Sequence, residues 1–358
     1  MRDATLKGLV LSGGAGTRLR PLTHTRAKQL VPVANRPVLH YGLRALADAG
    51  ITDVGIIVGD TQNEIEASVG DGSRLGVSAT YIRQEAPLGL AHAVLTAREF
   101  LGTSPFVMYL GDNLLRDGIV DLVDAFRANS PDAMILLQEV PDPESYGVAE
   151  LEGDRVVRLT EKPKDPPSNL ALVGVYMFTH EILASAAAIT PSARGELEIT
   201  DAVQNMIDRG LDVESHRVSG WWKDTGQVSD MLEANRLLLE ILERRIEGEV
   251  TGSTIDGKVV IEAGARVVDS TIRGPAIIGE GALIEQAYIG PYTSISPRVV
   301  VRDSEIARSI VLEDSRIEGL GAPIESSLIG HGVRIHRSES QPGAYRFVVG
   351  DSSEVGIV

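Results

Sequence analysis

LSGGAGTRLRPLT, residues 11–23, is the stretch that decides the fold, because it joins an apolar run to a loop rich in glycine. The run over residues 6–11 predicts a buried strand. Gly13, Gly14 and Gly16 let the backbone amides of the next loop approach an anion closely. The residues therefore predict a phosphate-binding loop at the carboxyl end of the first strand.

Two widespread phosphate loops do not fit this stretch. The Walker loop needs Gly-Lys followed by Ser or Thr, a triplet that does not occur in the chain. The dinucleotide fingerprint fits Gly14 and Gly16 but meets Leu19 where its third glycine should be. What remains is a glycine loop with a guanidinium at Arg18 and an ammonium at Lys28, two cations suited to phosphates. For the loop alone, a plain tight turn is the alternative.

The residues after the loop complete a longer pattern. The chain reads GTRLRPLT over residues 16–23 and KQLVPV over residues 28–33. Together they resemble the signature of the sugar-1-phosphate nucleotidylyltransferases, and later motifs are similar to the long-form glucose-1-phosphate thymidylyltransferases. The resemblance covers nearly all 358 residues. It implies transfer of a nucleotidyl group from dTTP to glucose 1-phosphate, giving dTDP-glucose and pyrophosphate, by in-line attack with Mg²⁺ as cofactor.

Up to residue 246, short apolar runs alternate with amphipathic patterns. Residues 54–58 and 106–110 are typical of strands, and residues 38–49 are typical of a helix. The alternation predicts βαβ units, and hence an α/β domain with a Rossmann-like, mostly parallel sheet. The resemblance makes residues 1–246 the nucleotidylyltransferase catalytic domain.

After a predicted helix over residues 231–246, the pattern changes. Aliphatic residues recur six apart in triplets, as in Ile255, Ile261 and Val267. A hexapeptide repeat in triplets predicts the three faces of a parallel β-helix. Its left hand is implied by resemblance to hexapeptide-repeat proteins. Residues 247–358 are therefore predicted to form a β-helix domain with a carboxyl-terminal tail.

The composition restricts the kinds of partner. Fifty acidic residues against 34 basic ones give a net charge of −16, which opposes binding to nucleic acid. No run of about 18 apolar residues could span a bilayer, so no membrane partner is expected. The chain has no cysteine, which excludes a disulfide framework and a thiolate metal site. A cytoplasmic protein is expected, since the first residues do not have the pattern of a signal peptide.

A second motif, YIRQEAPLGLAHA over residues 81–93, runs from a strand through Pro and Gly into a helix. The Gln84 amide offers both a donor and an acceptor to one pyrimidine edge. Taken alone, Gln84 would be a solvent-facing residue before an ordinary turn. The nucleotide-binding residues implied by the resemblance are Leu11, Gly13, Gly14, Gly16, Thr17, Gln84, Pro87 and Gly89. The catalytic residues that it implies are Arg18, Lys28 and Lys162.

Two aspartates are the candidate metal ligands. Asp112 follows the apolar run 106–110, and Asp224 lies in WWKDTG, which resembles a family motif. Mg²⁺ prefers one or two carboxylates together with substrate phosphates. Each aspartate alone is more typical of a turn or a helix cap. The family resemblance makes both of them predicted Mg²⁺ ligands.

The sugar-side residues come from three short segments. Sugar hydroxyls need hydrogen-bonding groups, and Glu161 beside Lys162 supplies an acceptor for hydroxyls and a cation for the sugar phosphate. Without the other motifs, this pair is typical of a charged surface turn. The hexose-binding residues implied by the resemblance are Gly147, Glu161, Val173 and Tyr176.

Several alternatives stay open from the residues alone. Thymine and uracil differ by one methyl, so UTP is the alternative nucleotide. A catalytically inactive regulatory protein with the same fold is a second alternative. A third is an acyltransferase on the β-helix, where His331 and His336 are the candidate histidines. A homo-oligomer is expected, with the β-helix as spacer or oligomerisation surface.

Overall fold

A computed structural model describes residues 5–14, 16–153, 155–338 and 345–357. Ala15 of the glycine loop lies outside the described residues. Strands and helices alternate up to Asp224, as the apolar pattern predicts. The strands are β1 (Lys7–Leu11), β2 (Pro32–Val33), β3 (Arg36–Pro37), β4 (Asp53–Val58), β5 (Ser78–Arg83), β6 (Phe106–Leu110), β7 (Asn113–Leu115), β8 (Ala133–Glu139), β9 (Gly147–Glu152), β10 (Arg155–Glu161), β11 (Leu170–Phe178), β12 (Val213–Arg217) and β13 (Trp222–Asp224).

The helices bury one apolar side each, as in the first, where Val38, Leu39, Leu43 and Leu46 follow the helical spacing. They are α1 (Val38–Asp48), α2 (Gln62–Val69), α3 (Leu90–Thr96), α4 (Arg98–Leu101), α5 (Val120–Asn129), α6 (Glu181–Ala188), α7 (Ile199–Asp208) and α8 (Val228–Glu240). Short 3₁₀ turns cover Thr17–Leu19, Leu22–His24, Lys28–Leu30, Ser73–Leu75 and Pro143–Ser145. Among the residues that the structure describes, no helix is both long and apolar enough to span a bilayer.

The first half of the main sheet is parallel. β1 lies between β4 and β6, and β5 pairs with the outer side of β4. Leu11 at the end of β1 is in register with Ile57 of β4 and Leu110 of β6. These strands consequently end at one edge, where ligands bind in open parallel sheets.

The second half of the sheet is largely antiparallel. β11 runs antiparallel to β6, β8 and β9, and β10 pairs antiparallel with β9, whereas β12 is parallel to β8. Apolar runs could not predict this reversal, because a strand buried on both faces has the same composition in either direction. The predicted fold class is confirmed: a Rossmann-like α/β sheet precedes a series of short parallel strands consistent with a left-handed β-helix.

The chain divides into two compact units. One comprises the described residues of 1–15 together with 38–224, and the other comprises 16–37 together with the described residues of 225–358. The second unit therefore contains the signature residues after the glycine loop. The division into functional domains at residue 246 was drawn from periodicity and stays a prediction.

The β-helix consists of two- and three-residue strands that form three parallel sheets. Its strands are β14 (Arg245–Ile246), β15 (Glu249–Thr251), β16 (Thr254–Asp256), β17 (Val259–Ile261), β18 (Arg266–Val268), β19 (Thr271–Arg273), β20 (Ala276–Ile278), β21 (Leu283–Glu285), β22 (Tyr288–Ile289), β23 (Thr293–Ile295), β24 (Val300–Arg302), β25 (Glu305–Ala307), β26 (Ile310–Val311), β27 (Arg316–Glu318), β28 (Ile324–Glu325), β29 (Leu328–Ile329) and β30 (Arg334–His336). Each sheet collects every third strand, so each triplet of strands makes one coil.

The aliphatic side chains that recur six residues apart form the core of this β-helix. Ile261, Ile278 and Ile295 stack in register on one face, and all three are fully buried. Ile272 and Ile289 stack in the same way on another face. Each coil thus places one aliphatic residue per face in the interior, which explains why the periodicity was visible in the sequence.

The helix predicted over residues 231–246 was wrong at both ends. α8 begins at Val228, where the Gln227 amide donates to the Asp230 carboxylate. It ends at Glu240, whose carbonyl accepts a hydrogen bond from the Lys258 ammonium at 2.7 Å. A cation on a terminal carbonyl stabilises the end of a helix, and residues 245–246 become the first strand of the β-helix.

The Ile317→Ala variant tests which side chains of the β-helix point into its interior. Ile317 is fully buried, whereas the neighbouring Arg316 is exposed on the same strand. Removing the buried side chain leaves a cavity, so the free energy of unfolding should fall by about 2–5 kcal/mol in urea unfolding. Arg316→Ala is the matched control and should change it by less than about 0.5 kcal/mol. Equal effects of the two variants would contradict the assignment of inward and outward positions.

Candidate active site

The loops after β1 and β6 leave the sheet side by side. The Ser12 amide donates to the Ile57 carbonyl at 2.9 Å, and the Gly111 amide donates to the Leu11 carbonyl at 2.9 Å. These bonds continue the parallel ladder beyond the strands. They fix the backbone at the start of the glycine loop and just before Asp112.

Gln84 follows β5 at the same edge, as the sequence predicts. Its Nε2 donates to the Gly89 carbonyl at 3.3 Å and lies 2.9 Å from Nδ1 of His92. A Cβ on Gly13 would lie 3.5 Å from Gln84 Oε1, so the glycine loop passes close to the acceptor end of the amide. The structure thus brings Gln84, Gly89 and Gly13 together. It adds His92, which lay in the quoted motif but was not selected.

Gly89 has a conformation and an environment that require glycine. Its φ is 105°, and a Cβ there would collide with the carbonyl oxygen of Leu197. The Leu197 amide donates to Leu88 at 2.8 Å, and the Ala91 amide donates back to Leu197 at 3.0 Å. Backbone pairing with residue 197 therefore holds this turn, while Pro87 and Leu88 are exposed.

The structure places the two predicted metal ligands next to each other. Asp112 immediately precedes β7, and Asp224 ends β13, which pairs antiparallel with β7. In this register Asp224 lies opposite Asn113, the residue after Asp112. Asp112 is 8% exposed, so its carboxylate lies in a largely dehydrated position. The pairing of β7 with β13 thus brings together two carboxylates that are far apart in the sequence.

Asn113 organises this pair and was not predicted. Its Nδ2 donates to Asp112 Oδ1 at 3.0 Å. Its Oδ1 accepts from the Trp222 indole at 2.5 Å and from the Gly174 amide at 3.3 Å. The Asp-Asn dipeptide directly after an apolar strand was the signal that could have identified it.

The donor set suits a cation that takes part of its coordination from a ligand. Within the described ranges, no group of three or more His, Cys, Asp or Glu side chains could hold a metal by itself. Two carboxylates on paired strands match the requirement of Mg²⁺, which binds few protein groups together with phosphates and water. Asp112 and Asp224 therefore fit the predicted metal.

Glu161 is held by two donors that the predicted site did not include. Its Oε2 accepts from the Thr200 hydroxyl at 2.6 Å, and its Oε1 accepts from Arg194 Nη2 at 3.0 Å. Gly147 lies opposite Glu161 in the strand register. A Cβ on Gly147 would lie 2.8 Å from the Thr200 hydroxyl, so glycine is needed for this contact to form.

Arg194 lies among carboxylates. Its Nη2 is 2.9 Å from Glu198 Oε1, in addition to its bond with Glu161. Burial lowers the pKa of Arg194, but the hydrogen bond and charge of Glu198 and the charge of Glu161 outweigh this, so its pKa lies above the usual value. Arg194 and Thr200 lie 33 and 39 residues after Glu161, and spacing along the chain could not show that they reach it.

The other sugar-side residues differ in accessibility. Lys162 is exposed, with its Nζ 4.0 Å from Glu161 Oε1. Tyr176 is 4% exposed, and burial together with the charge of Glu161 raises the pKa of its phenol, which stays neutral. Val173 is fully buried where the pairing of β8 with β11 is interrupted. Neither its side chain nor its backbone is therefore open to a ligand in this conformation.

Two of the predicted cations, Arg18 and Lys28, lie in the second compact unit, after the glycine loop. Gly16 has a φ of 62°, and a Cβ there would lie 2.8 Å from the Lys28 Cβ, so Gly16 packs directly on the stem of Lys28. The Thr23 hydroxyl donates to the Gly16 carbonyl at 2.6 Å. Thr17 and Arg18 are exposed in the 3₁₀ turn between them. The segment is thus a closed loop that presents Arg18 to solvent.

The β-helix histidines lie in different surroundings. His331 Nε2 is 3.0 Å from Asp314 Oδ2, and Arg298 contacts both oxygens of that carboxylate at 2.7 and 2.9 Å. His336 is exposed and lies 3.2 Å from the Arg337 carbonyl. His331 therefore takes part in a surface hydrogen-bond network with Asp314.

Comparisons with known proteins identify the family. Residues 7–241 match the nucleotidyl transferase family. A glucose-1-phosphate thymidylyltransferase of Streptomyces antibioticus is 57% identical over 355 residues, covering 98% of this chain and 99% of the relative. One of Streptomyces griseus is 55% identical over 354 residues, with the same coverage. A Bacillus anthracis structure in complex with sucrose, described as a candidate glucose-1-phosphate thymidylyltransferase, has a TM-score of 0.63 and 36% identity, covering 67% of this chain and 98% of that one.

Gly89→Ala tests the close approach of residue 197. Alanine must adopt an unfavourable positive φ and also displace the Leu197 carbonyl, so the free energy of unfolding should fall by about 2–4 kcal/mol in urea unfolding. Gly195→Ala is the matched control, because Gly195 has a φ of 77° and no atom within 4 Å of its Cβ position. The control should lose only about 1 kcal/mol. Similar losses in both variants would show that the contact with Leu197 contributes nothing.

Proposed function

Because the chain belongs to the nucleotidyl transferase family, we propose that it is a glucose-1-phosphate thymidylyltransferase. It transfers a thymidylyl group from dTTP to the phosphate of glucose 1-phosphate, giving dTDP-glucose and releasing pyrophosphate. The preference for this substrate pair is supported by the 57% identity over 98% of the chain. The structural observation that carries the chemistry is the register of β7 and β13, which sets Asp224 beside Asp112 and Asn113.

The reaction needs no protein nucleophile or general base. The attacking group is a phosphate oxygen of the sugar 1-phosphate, which is already an anion, and pyrophosphate leaves from the opposite side of the α-phosphorus. Catalysis then consists of aligning two anions and neutralising their charge. The chain as a whole is strongly acidic, so this neutralisation depends on local cations.

Three basic side chains take these roles. Arg18 neutralises charge that develops on the leaving pyrophosphate, and Lys28 contacts the attacking phosphate and the α-phosphate. Lys162 binds the phosphate of the sugar, while Glu161 next to it accepts hydrogen bonds from the hexose hydroxyls. The exposure of Arg18 and Lys162 supports these assignments, since both can reach a ligand from solvent.

Asp112 and Asp224 would hold Mg²⁺. The ion, when bound, supplies positive charge to the triphosphate oxygens as a Lewis acid. Asn113 supports the site by keeping one oxygen of Asp112 in place through its 3.0 Å bond. The Trp222 indole in turn fixes Asn113, so Trp222 of the WWKDTG motif has a role in orienting the metal ligands.

The base is bound by the turn after β5 and by the glycine loop. Gln84 Oε1 can accept the N3–H of thymine or uracil, a donor that cytosine lacks. The Nε2 group is engaged with the Gly89 carbonyl and His92, which fixes the direction of the acceptor. Pro87 and Gly89 shape the turn against the base. Leu11, Gly13, Gly14, Gly16 and Thr17 supply the loop that surrounds the nucleotide phosphates.

The hexose is bound around Glu161. Thr200 and Arg194 hold this carboxylate from both of its oxygens, so it is oriented before the sugar arrives. Gly147 leaves room for the contact between Thr200 and Glu161, Val173 is assigned to the hexose by the family resemblance, and Tyr176 forms the buried wall beneath Glu161. Such preorganisation lowers the cost of ordering on binding.

The location of the enzyme and the roles of its two domains are also proposals. A nucleoside triphosphate and a sugar phosphate are cytoplasmic metabolites, so we propose a cytoplasmic location. We also propose that residues 1–246 catalyse the reaction and that residues 247–358 serve assembly of a homo-oligomer. Neither nucleic acid nor membrane is a partner.

Pyrophosphate release with Mg²⁺ and glucose 1-phosphate tests the substrate assignment. The assay offers dTTP and each of the four ribonucleoside triphosphates in turn. We expect the highest kcat/KM with dTTP and at least about tenfold less with UTP, which carries a 2′-hydroxyl and lacks the methyl group that contributes about 1 kcal/mol in an apolar pocket. A preference for UTP would reassign the base. No release with any nucleotide would support the regulatory alternative.

Arg18→Ala and Arg20→Ala form a matched pair for the catalytic cation. Both arginines are exposed on the same segment, and only Arg18 is assigned to the pyrophosphate. Loss of a charge that stabilises the transition state should lower kcat by at least about 100-fold, whereas Arg20→Ala should stay within about threefold. Lys28→Ala and Asp112→Ala should also lose orders of magnitude in kcat while the protein stays folded, although Asp112→Ala removes the partner of Asn113 Nδ2 and should lower the melting temperature. Near-normal turnover in any of these three assigned positions would refute its role.

A further inference from the structure

The hairpin formed by β2 and β3 has an unusual tip. Val33 pairs with Arg36, and the two residues between them, Ala34 and Asn35, both have positive φ angles, of 45° and 59°. Two such residues form a type I′ turn, which normally uses Asn-Gly or Gly-Gly. Alanine is unfavourable in this conformation, so surrounding contacts must hold the tip.

Asn235 of α8 supplies one set of these contacts. Its side chain is fully buried. Its Oδ1 accepts from the Ala34 amide at 2.9 Å and from the Ser294 hydroxyl at 2.6 Å, and its Nδ2 donates to the Tyr292 carbonyl at 3.1 Å. One carboxamide therefore joins the hairpin, α8 and the coil of the β-helix that contains β23.

Asn35 supplies the second set. Its Nδ2 donates to the Ile295 carbonyl at 2.8 Å, and its Oδ1 lies 3.3 Å from the Ser296 hydroxyl. Further along the β-helix, Arg26 Nη1 is 2.9 Å from Glu313 Oε1. The β-helix thus binds the segment 16–37 at the tip of its hairpin and again two residues before Lys28.

The same segment is packed tightly from the hairpin back to the cations. The 3₁₀ turn that begins at Lys28 leads directly into β2, and Val31 and Val33 are fully buried. Gly16 packs on the Lys28 stem at the other end, next to Arg18. A displacement of the tip would therefore be transmitted to both cations.

We propose that the β-helix positions Lys28 and Arg18 for the reaction, and that Asn35 and Asn235 are the positioning residues through which it does so. This inference rests on the proposed function and gives the β-helix a role in turnover besides assembly. Displacing reacting groups by about 1 Å can cost about 100-fold in rate, so a loosened tip should affect kcat more than substrate binding.

Asn35→Gly in the full chain tests the proposal. Glycine keeps the positive φ that the turn needs but removes both side-chain contacts with the β-helix. We expect kcat with dTTP and glucose 1-phosphate to fall at least about tenfold while both KM values stay within about twofold. Hydrogen exchange at the Ala34 amide should become faster, and the melting temperature should change by only a few degrees.

Gln286→Gly is the matched control. Gln286 is an exposed residue of the β-helix with a φ of 49°, so the substitution removes a similar amide at a similar backbone conformation without touching the hairpin. Its kcat and its Ala34 exchange should equal those of the wild type. A KM that rises with unchanged kcat in Asn35→Gly, or an equal fall of kcat in both variants, would overturn the inference.

Hydrogen exchange at Ala34 distinguishes holding of the hairpin tip from positioning of the cations. Faster exchange at Ala34 with unchanged kcat would mean that the β-helix holds the hairpin but does not position the cations, which overturns the proposal. Unchanged exchange and kcat would also overturn it, because Asn35 would then not hold the tip. A wild-type protein without activity toward any nucleotide would instead refute the proposed function, and this inference with it.

Discussion

The buried carboxamide of Asn113 is the interaction on which the metal end of the candidate site depends. It joins the Asp112 carboxylate, the Trp222 indole and the Gly174 backbone, and so connects three strands at the carboxyl edge of the sheet. In a largely dehydrated position, each of these groups would be costly to leave without a partner. The same contacts that make this corner stable therefore also fix the direction of a carboxylate that is proposed to bind metal.

Close backbone approach is the second recurring constraint. Gly89 lies against the Leu197 backbone, Gly147 lies against Thr200 and Glu161, and Gly174 lies against Asn113. At each of these positions a side chain would occupy the space in which a polar contact forms. The glycines thus allow hydrogen-bonding groups from distant segments to converge, and two of the three were selected from the sequence for their family resemblance.

Charge in this protein is controlled locally. The net charge of −16 opposes the binding of polyanions, yet the proposed substrates are two phosphorylated anions. Arg194 is surrounded by Glu161 and Glu198, which keep it ionised and direct it to hold a carboxylate. Lys162 and Arg18 are exposed. Arg194, held by two carboxylates at 2.9 and 3.0 Å, is therefore a structural cation, whereas the exposed Lys162 and Arg18 are available to a ligand.

The sequence by itself determined the periodic features: the apolar strands, the α/β class, the three-faced β-helix and the loops in which Gly13, Gln84 and Asp112 lie. These features are local, because burial imposes a fixed spacing on neighbouring residues along the chain. The residue types also indicated the chemistry: a glycine loop followed by two cations is suited to phosphates, and it carries the resemblance to the family. Only the tertiary structure decided that Asp224 lies beside Asn113, that Thr200 and Arg194 hold Glu161, and that Asn35 and Asn235 join the signature segment to the β-helix. Such contacts join residues that are tens to hundreds of positions apart, and sequence spacing carries no information about which distant strands pair or in which register.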